Sequence, residues 1–248
     1  RIHIGMSTKG KKKYLLVLKN SLSRNVVYRF NTFAFIFTQL FIFGVMFYLW
    51  SSIYRQGGQV GSYTLQQMVV YYLAANFIAL IIHGDDVARI VGEEIRTGEF
   101  TNLLLKPISY LRYTFFSALG GALYRLLICF VIFGILAIFL ARGLGFEFDL
   151  ARTIFFGVFF MFGFLIYFFV FYIVGIFAFW FQYIKGLNAV LMFSTIFLQG
   201  GVIPLDLLPK TFSFFNGFLP FQYVIFVPVA ILTGRQEVDW QLFLTAVV

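Results

Sequence analysis

Residues 154–183 read IFFGVFFMFGFLIYFFVFYIVGIFAFWFQY, without a single charged side chain. A helix on the surface of a soluble domain shows one apolar stripe and one polar face. This run is apolar all round and exceeds the ~20 residues needed to cross a ~30 Å hydrocarbon core. A membrane β-strand would alternate over about ten residues. The run is therefore read as a helix in lipid. Its many aromatic and β-branched residues do not count against that, because a backbone in lipid must satisfy its own hydrogen bonds.

The rest of the chain has the same character. Of 248 residues, 61% are hydrophobic and 12% charged, with 37 Phe; soluble domains average about 45–50% apolar and about 25% charged. No soluble fold of this length has the interior to hide that much apolar surface. Soluble enzymes, nucleic-acid binders and disordered chains are excluded as classes. The net charge of +9 has to be read by position relative to a membrane, not as a nucleic-acid footprint. Cys129, the only cysteine, cannot form an internal disulfide and reads as a packing residue.

Charge-free windows predict an all-α polytopic membrane protein. The spans fall at about 30–54, 68–82, 113–141, 154–183 and 187–203. A sixth begins near Asp239 and is cut by the end of the sequence. Met6 has the look of a natural start, with Arg1 to Gly5 an added remnant or residues upstream of a misassigned start. No cleavable signal peptide is visible. Domain organisation is read as a cytoplasmic N-terminus and elbow helix over 1–29, then one transmembrane domain over 30–248. The latter includes a cytoplasmic loop at 84–112 and an extracellular segment at 204–237.

Lys and Arg set the orientation. Eight precede the first span: Arg1, Lys9, Lys11, Lys12, Lys13, Lys19, Arg24 and Arg29. Arg89, Arg96, Lys106, Arg112 and Lys185 fall on the same side, against Arg55, Arg142, Arg152, Lys210 and Arg235 on the other. Positive-inside places the N-terminus in the cytoplasm of a multi-pass protein of the cell (inner or plasma) membrane. Within the N-terminal segment, Leu15, Leu18, Leu22 and Val26 share a helical stripe with most of the lysines off it. This is a basic amphipathic helix suited to the headgroup layer of the membrane lipids, or a set of charges that only enforces topology.

Residues 211–234 carry no charge and are long enough to span. They also contain Asn216, Gly217, Pro220 and Pro228, and follow Pro204 and Pro209. Proline breaks helices, and broken backbone at membrane depth must be buried or line a cavity. Two short helices that dip into the outer leaflet and return are expected; an extra full span is the rival reading.

The loop 84–112 holds five of the ten acids: Asp85, Asp86, Glu93, Glu94 and Glu99. Val87, Ile90, Val91 and Ile95 have helical spacing. Thr97-Gly98 fits a helix end, since Gly takes the left-handed cap. Glu99-Phe100 opens a second short helix that stops at Pro107. Composition alone favours a solvated loop over a docking knob for a cytosolic partner.

The stretch from Glu94 through Arg96, Thr97, Gly98, Glu99, Phe100, Leu104 and Pro107 to Ile108 resembles the coupling-helix region of type-2 ATP-binding-cassette (ABC-2) exporter permeases. It has Thr-Gly-Glu-Phe where Gly-Thr-Leu-Glu is commoner. This is similar to the ABC-2-like branch with Gly-x-Leu/Phe-x-x-x-Leu-Leu-Lys-Pro. A second match, Gln199-Gly200-Gly201 to Pro204 and Pro209, then Leu219-Pro220-Phe221 and Pro228 to Gly234, resembles the re-entrant segment after the fifth span of that family. With the elbow helix and spans, the resemblance covers essentially the whole chain.

The resemblance implies a permease subunit of an ATP-driven exporter. Two copies, or a copy and a paralogue, would form the pathway, with separate ATPase subunits docked beneath and coupled through Glu93 to Leu105. It implies an amphipathic or polymeric cargo: drug, peptide, lipid or glycan. No phosphate-binding loop, paired acid and base, or metal-ligand cluster is present in the sequence. Catalytic, cofactor and metal residues are therefore none, and ATP and Mg would be held by the partner ATPase. A secondary transporter or channel is the alternative; it would call for paired ionisable groups in the spans, and these hold only Arg125. Arg125 lies about 18 Å into its helix at 1.5 Å per residue. It either faces the translocation pathway or snorkels and pairs with a carbonyl or a partner subunit. The small-residue patch Ser117, Ala118, Gly120, Gly121 and Ala122 lets another helix approach closely, as internal packing more than as a dimer seam.

Overall fold

The computed structural model describes residues 9–27, 29–57, 60–82, 84–145, 149–181 and 183–237. Among them every regular element is helical, apart from an isolated bridge between Val60 and Tyr63. In chain order these are α1 (Lys9–Val27), α2 (Arg29–Arg55), α3 (Leu65–Ile81), α4 (Gly84–Thr97), α5 (Glu99–Leu104), α6 (Tyr110–Leu144), α7 (Leu150–Ile176), α8 (Lys185–Leu198), α9 (Lys210–Gly217) and α10 (Phe226–Leu232). Short 3-10 turns occupy Phe177–Phe179, Leu205–Leu207 and Pro220–Tyr223.

Four stretches are long and apolar enough to cross a membrane: Thr32–Arg55, Leu65–Thr97, Tyr110–Phe139 and Leu150–Phe179. Leu65–Thr97 joins α3 to α4; its apolar part is α3, since α4 reads GDDVARIVGEEIRT. The segments holding α9 and α10 are bent by 88°, and would make a fifth crossing only if taken as one. The span expected at 187–203 is shorter than the sequence suggested. It is α8, 14 residues or about 21 Å long. The helix stops because Gly200 takes φ +78 and the chain then runs irregularly to Pro204. The span expected near Asp239 lies outside the described residues.

Caps fix the starts of the long helices. The Thr64 side chain accepts from the Gln67 N–H while Gln67 accepts from the Thr64 N–H, a capping box at α3. Asp149 accepts from the Ala151 N–H at 2.8 Å to start α7. The core is built around α3, whose residues from Met68 to Asn76 are all buried. By contrast α2 leaves Phe33, Phe37, Phe41 and Tyr48 exposed, one face of a helix that packs chiefly on α3.

Helix α1 does not present its whole Leu15/Leu18/Leu22/Val26 stripe to the bundle. Leu15 and Val26 are exposed, and the inner face runs through Tyr14, Leu18, Ser21 and Asn25. Ser21 Oγ donates to Ser117 O at 2.6 Å, and Tyr14 stacks on Phe116 with ring centroids 5.4 Å apart. A Cβ at Gly120 would lie 2.8 Å from both Leu18 O and Ser21 Cβ. Small and hydroxyl-bearing residues let the two backbones approach closely and share hydrogen bonds, which outweighs an apolar stripe. The small-residue patch on α6 is thus the seat of α1.

Loops gather at two ends of the bundle. At one end Lys13 Nζ lies 3.4 Å from Pro107 O, and Arg96 lies over the Tyr183 ring. At the other Tyr54, Ser62, Tyr63, Asp206 and Arg235 meet, with Arg152 beside Gly234. The charge tally separated these same two sets.

Candidate functional site: the α4–α5 hairpin and its supports

Helix α4 is amphipathic and buries Val87, Ala88 and Val91. It lies mainly on α7, where Gly175 removes the side chain that would keep it away. A Cβ at Gly175 would fall 2.6 Å from Val91 Cβ and 3.2 Å from Ala88 O. On its other flank Gly92 sits so close to Ile184 that a Cβ would lie 2.4 Å from Ile184 Cδ1. Gly98 takes φ +80 and turns the chain into α5. Phe100 then packs edge-on against Tyr110 at 4.6 Å and Phe179 at 5.3 Å.

The residues singled out from the sequence divide between two roles. Glu94 and Phe100 point inward, and Tyr110 Oη donates to Glu94 Oε2 at 2.6 Å. Burial pushes the Glu94 carboxyl above its ordinary value, against the Tyr110 hydrogen bond. Glu93, Arg96, Thr97, Gly98, Glu99 and Leu104 are exposed. Arg96 pairs with Glu93 one turn away, and the guanidinium holds the Glu93 carboxyl below its ordinary value. Thr97 Oγ1 donates back to Glu93 O at 2.8 Å. Leu105, the end of the stretch marked by the resemblance, is 81% exposed beside Leu104 at 56%. The result is a firmly seated hairpin that leaves two leucines bare at the end of α5 and Glu93, Arg96 and Glu99 exposed.

Behind it is a cavity of about 100 Å³ between α1, α4, α6 and α7, whose lining mixes apolar side chains with Arg24, Asn25, Glu94, Thr114, Ser117 and Arg125. Arg125 Nε and Nη2 donate to Ile81 O at 3.2 and 2.9 Å. That carbonyl ends α3, so the cation sits at the negative end of a helix dipole. Arg125 therefore pairs with a carbonyl and lines the cavity at once. The space is well below the ~300–1,000 Å³ of a site for a drug-sized ligand.

At the far end the residues predicted for the broken segment are built into a clasp. Gly200 has φ +78 and its carbonyl accepts from Tyr71 Oη at 2.7 Å. Gly201 N–H donates to Ile196 O at 3.1 Å. Pro204 leads into the turn Leu205–Leu207, Pro209 precedes α9, and Pro220 opens the turn before α10. Asn216 Nδ2 donates to Leu198 O at 2.9 Å, tying α9 to the last turn of α8.

Three residues that sequence reasoning missed hold this segment shut. Arg235 donates to Ser62 O at 3.0 Å and to Asp206 Oδ2 at 3.0 Å, and its guanidinium carbon lies 3.7 Å from the Tyr63 ring centroid. Tyr63 Oη donates to Asp206 Oδ1 at 2.9 Å. The only signal in the sequence was that Asp206 and Arg235 are opposite charges on either flank of an apolar segment. Helix α7 also supports this end: a Cβ at Gly163 would lie 3.0 Å from Val224 Cα. One helix thus touches both the hairpin, at Gly175, and the clasped segment, at Gly163.

Comparison with curated proteins and with solved structures finds no match. The sequence model of the family described as ABC-2 family transporter protein matches residues 40–248. That match takes in the hairpin, the cavity's α6 and α7 walls and the clasp. Together with the apolar helices, it shows that this chain belongs to the ABC-2 family of transporters, as a membrane permease and not as a catalyst.

Proposed function

We propose that the chain is the permease subunit of an ATP-driven exporter, driven through the α4–α5 hairpin by a separate ATPase subunit. The N-terminus and hairpin face the cytoplasm, as the lysine and arginine distribution requires. Helix α1 is the elbow, and α2, α3, α6, α7 and α8 are the first five crossings. ATP and Mg belong to the partner; this chain supplies no residue to them. Two permease copies, or a copy and a paralogue, enclose the pathway, because the cavity behind the hairpin, about 100 Å³, cannot pass an amphipathic or polymeric cargo.

The observation that carries this reading is the seating of α4 on α7. A solvated loop has no reason to be locked into a helix groove by Gly175 and Gly92 while exposing Leu104 and Leu105. An element that must transmit a push has both. Movement of α4 reaches α7 at Gly175, and α7 carries it about 18 Å, at 1.5 Å per residue, to Gly163 and the clasped segment.

That segment is re-entrant in this account. Asp206 precedes α9 and Arg235 follows α10, yet the two are ion-paired at 3.0 Å. A segment whose two flanks touch has returned to the side it left. Arg125 positions the end of α3 beside the hairpin, and its second role is to present charge to the cavity.

The test is co-purification from the native membrane. The account expects an ATP-binding-cassette subunit to accompany the intact chain and to be lost on Leu104→Asp with Leu105→Asp. Retention of the ATPase by that folded variant would refute docking at the hairpin tip.

A further inference from the structure

A second cleft lies on the opposite flank of α4 from the cavity of Arg125. It has about 570 Å³ of space between α4 and the start of α8, lined by Arg89, Arg96, Tyr183, Lys185, Asn188 and Glu93 among others. We propose that this cleft binds the phosphate of an anionic phospholipid headgroup, held by Lys185, Arg89 and the free start of α8.

Several independent features converge there. Helix α8 begins at Lys185 with Ile184 in the capping position, and Ile184 can offer no side-chain cap. The first-turn N–H groups of a 14-residue helix thus point out with the positive end of its dipole. Gly186 keeps this turn bare: a Cβ there would meet nothing within 4 Å. Three cations border the cleft against one carboxylate, Glu93, which is already paired to Arg96. Lys185 makes no ion pair among the described residues. Arg89 pairs with Asp86 at 2.8 Å, but both are well exposed. Such an exposed pair is weak and yields readily to a phosphate.

The rim says which phosphate. Phe179, Trp180, Phe181 and Tyr183 are all exposed, Trp180 at 73%. Exposed aromatics of this kind mark the headgroup level of a bilayer. A cationic cleft opening beside such a belt meets lipid phosphates before soluble ones. Gly92 and Ile184 fix the two walls to each other, so an occupied cleft would brace α8 against α4. The inference needs only that this end of the bundle lies at a membrane surface, not that an ATPase docks there.

The experiment uses the full chain in nanodiscs of phosphatidylcholine, with and without phosphatidylglycerol, and native mass spectrometry of the lipid retained after mild delipidation. The intact chain should retain phosphatidylglycerol over phosphatidylcholine several-fold and melt at higher temperature with it. Lys185→Gln with Arg89→Gln should bring the ratio close to one while melting normally in phosphatidylcholine alone; Lys185→Arg should restore part of the preference. Equal retention of both lipids by the intact chain overturns the proposal, as does an unchanged preference in the double variant. If inorganic phosphate in detergent raises the melting temperature as much as phosphatidylglycerol does, the lipid source is wrong. If phosphatidylglycerol has no effect but the double variant loses a co-purifying protein, the cleft receives an acidic partner segment, and the proposal also fails. Because none of the lipid arms requires ATP or an ATPase, failure here leaves the exporter reading standing.

Discussion

Val91 on α4 and Gly175 on α7 are in such close contact that a Cβ at position 175 would lie 2.6 Å from Val91 Cβ. No side chain fits there without moving one helix. Gly175→Ala should therefore displace α4, at a cost of about 1–3 kcal/mol for overpacking. Transport should fall further than stability suggests, because the displaced helix is the one that receives the push. Since the closest clash is with Val91 Cβ itself, Val91→Gly in the same chain removes it and should recover part of both losses. A double-mutant cycle on melting temperature and on ATP-driven export measures this; additive effects would show that the two sites do not act together.

The clasp gives a second prediction. Asp206→Ala removes the carboxylate that Arg235 and Tyr63 share and leaves a partly buried guanidinium short of a partner. The cost should be about 1–3 kcal/mol, seen as a lower melting temperature in detergent. Arg235→Lys should cost a similar amount despite keeping the charge, since an ammonium cannot reach Ser62 and Asp206 together or stack flat on Tyr63. Full retention of stability by Arg235→Lys would contradict the forked geometry.

Glu94 sets a pH dependence. Burial raises its carboxyl above the ordinary value, so the folded chain binds that proton more tightly than the unfolded chain. Stability from this group is greatest when it is protonated, and falls as pH rises from the ordinary carboxylate value through the raised one. Glu94→Gln can still accept from Tyr110 Oη. It should remove that slope and be the more stable protein at neutral pH. Melting curves across the acidic to neutral range decide it, and a glutamine variant less stable at neutral pH would reverse the sign.

Arg125 is held on Ile81 O by two nitrogens. Arg125→Leu should ease insertion of α6, since a central charge costs at least ~2.5–3.5 kcal/mol on insertion scales. It should also impair export by loosening the end of α3. Export unchanged in a normally inserted Arg125→Leu chain would leave the residue no functional part.

Much of this architecture was legible in the sequence because lipid imposes simple rules. Charge-free windows located α2, α3, α6 and α7, and Gly98 and Pro107 marked the turn and the end of the hairpin. The bend between α9 and α10 was written in Asn216, Gly217 and Pro220. What was hidden depends on contacts between distant residues. The seat of α1 uses Ser21 and Asn25, which a search for apolar stripes discards. The shortness of α8 follows from the backbone turn at Gly200, inside a run that hydropathy reads as continuous. Tyr63, Asp206 and Arg235 come from three separate loops, and no periodicity connects them. The contact of Val91 with Gly175 is equally silent, since a lone glycine in an apolar helix looks like any other.

The central claim is that the exposed tip of the α4–α5 hairpin passes the work of an ATPase to this permease. Its most direct measurement is site-specific cross-linking from a photoreactive residue at Leu105 in the intact membrane. The account predicts a cross-link to an ATP-binding-cassette subunit whose yield changes between nucleotide-free and ATP-bound states. A tip that cross-links only to lipid or solvent-borne quencher in both states, in a chain that still exports, would contradict it.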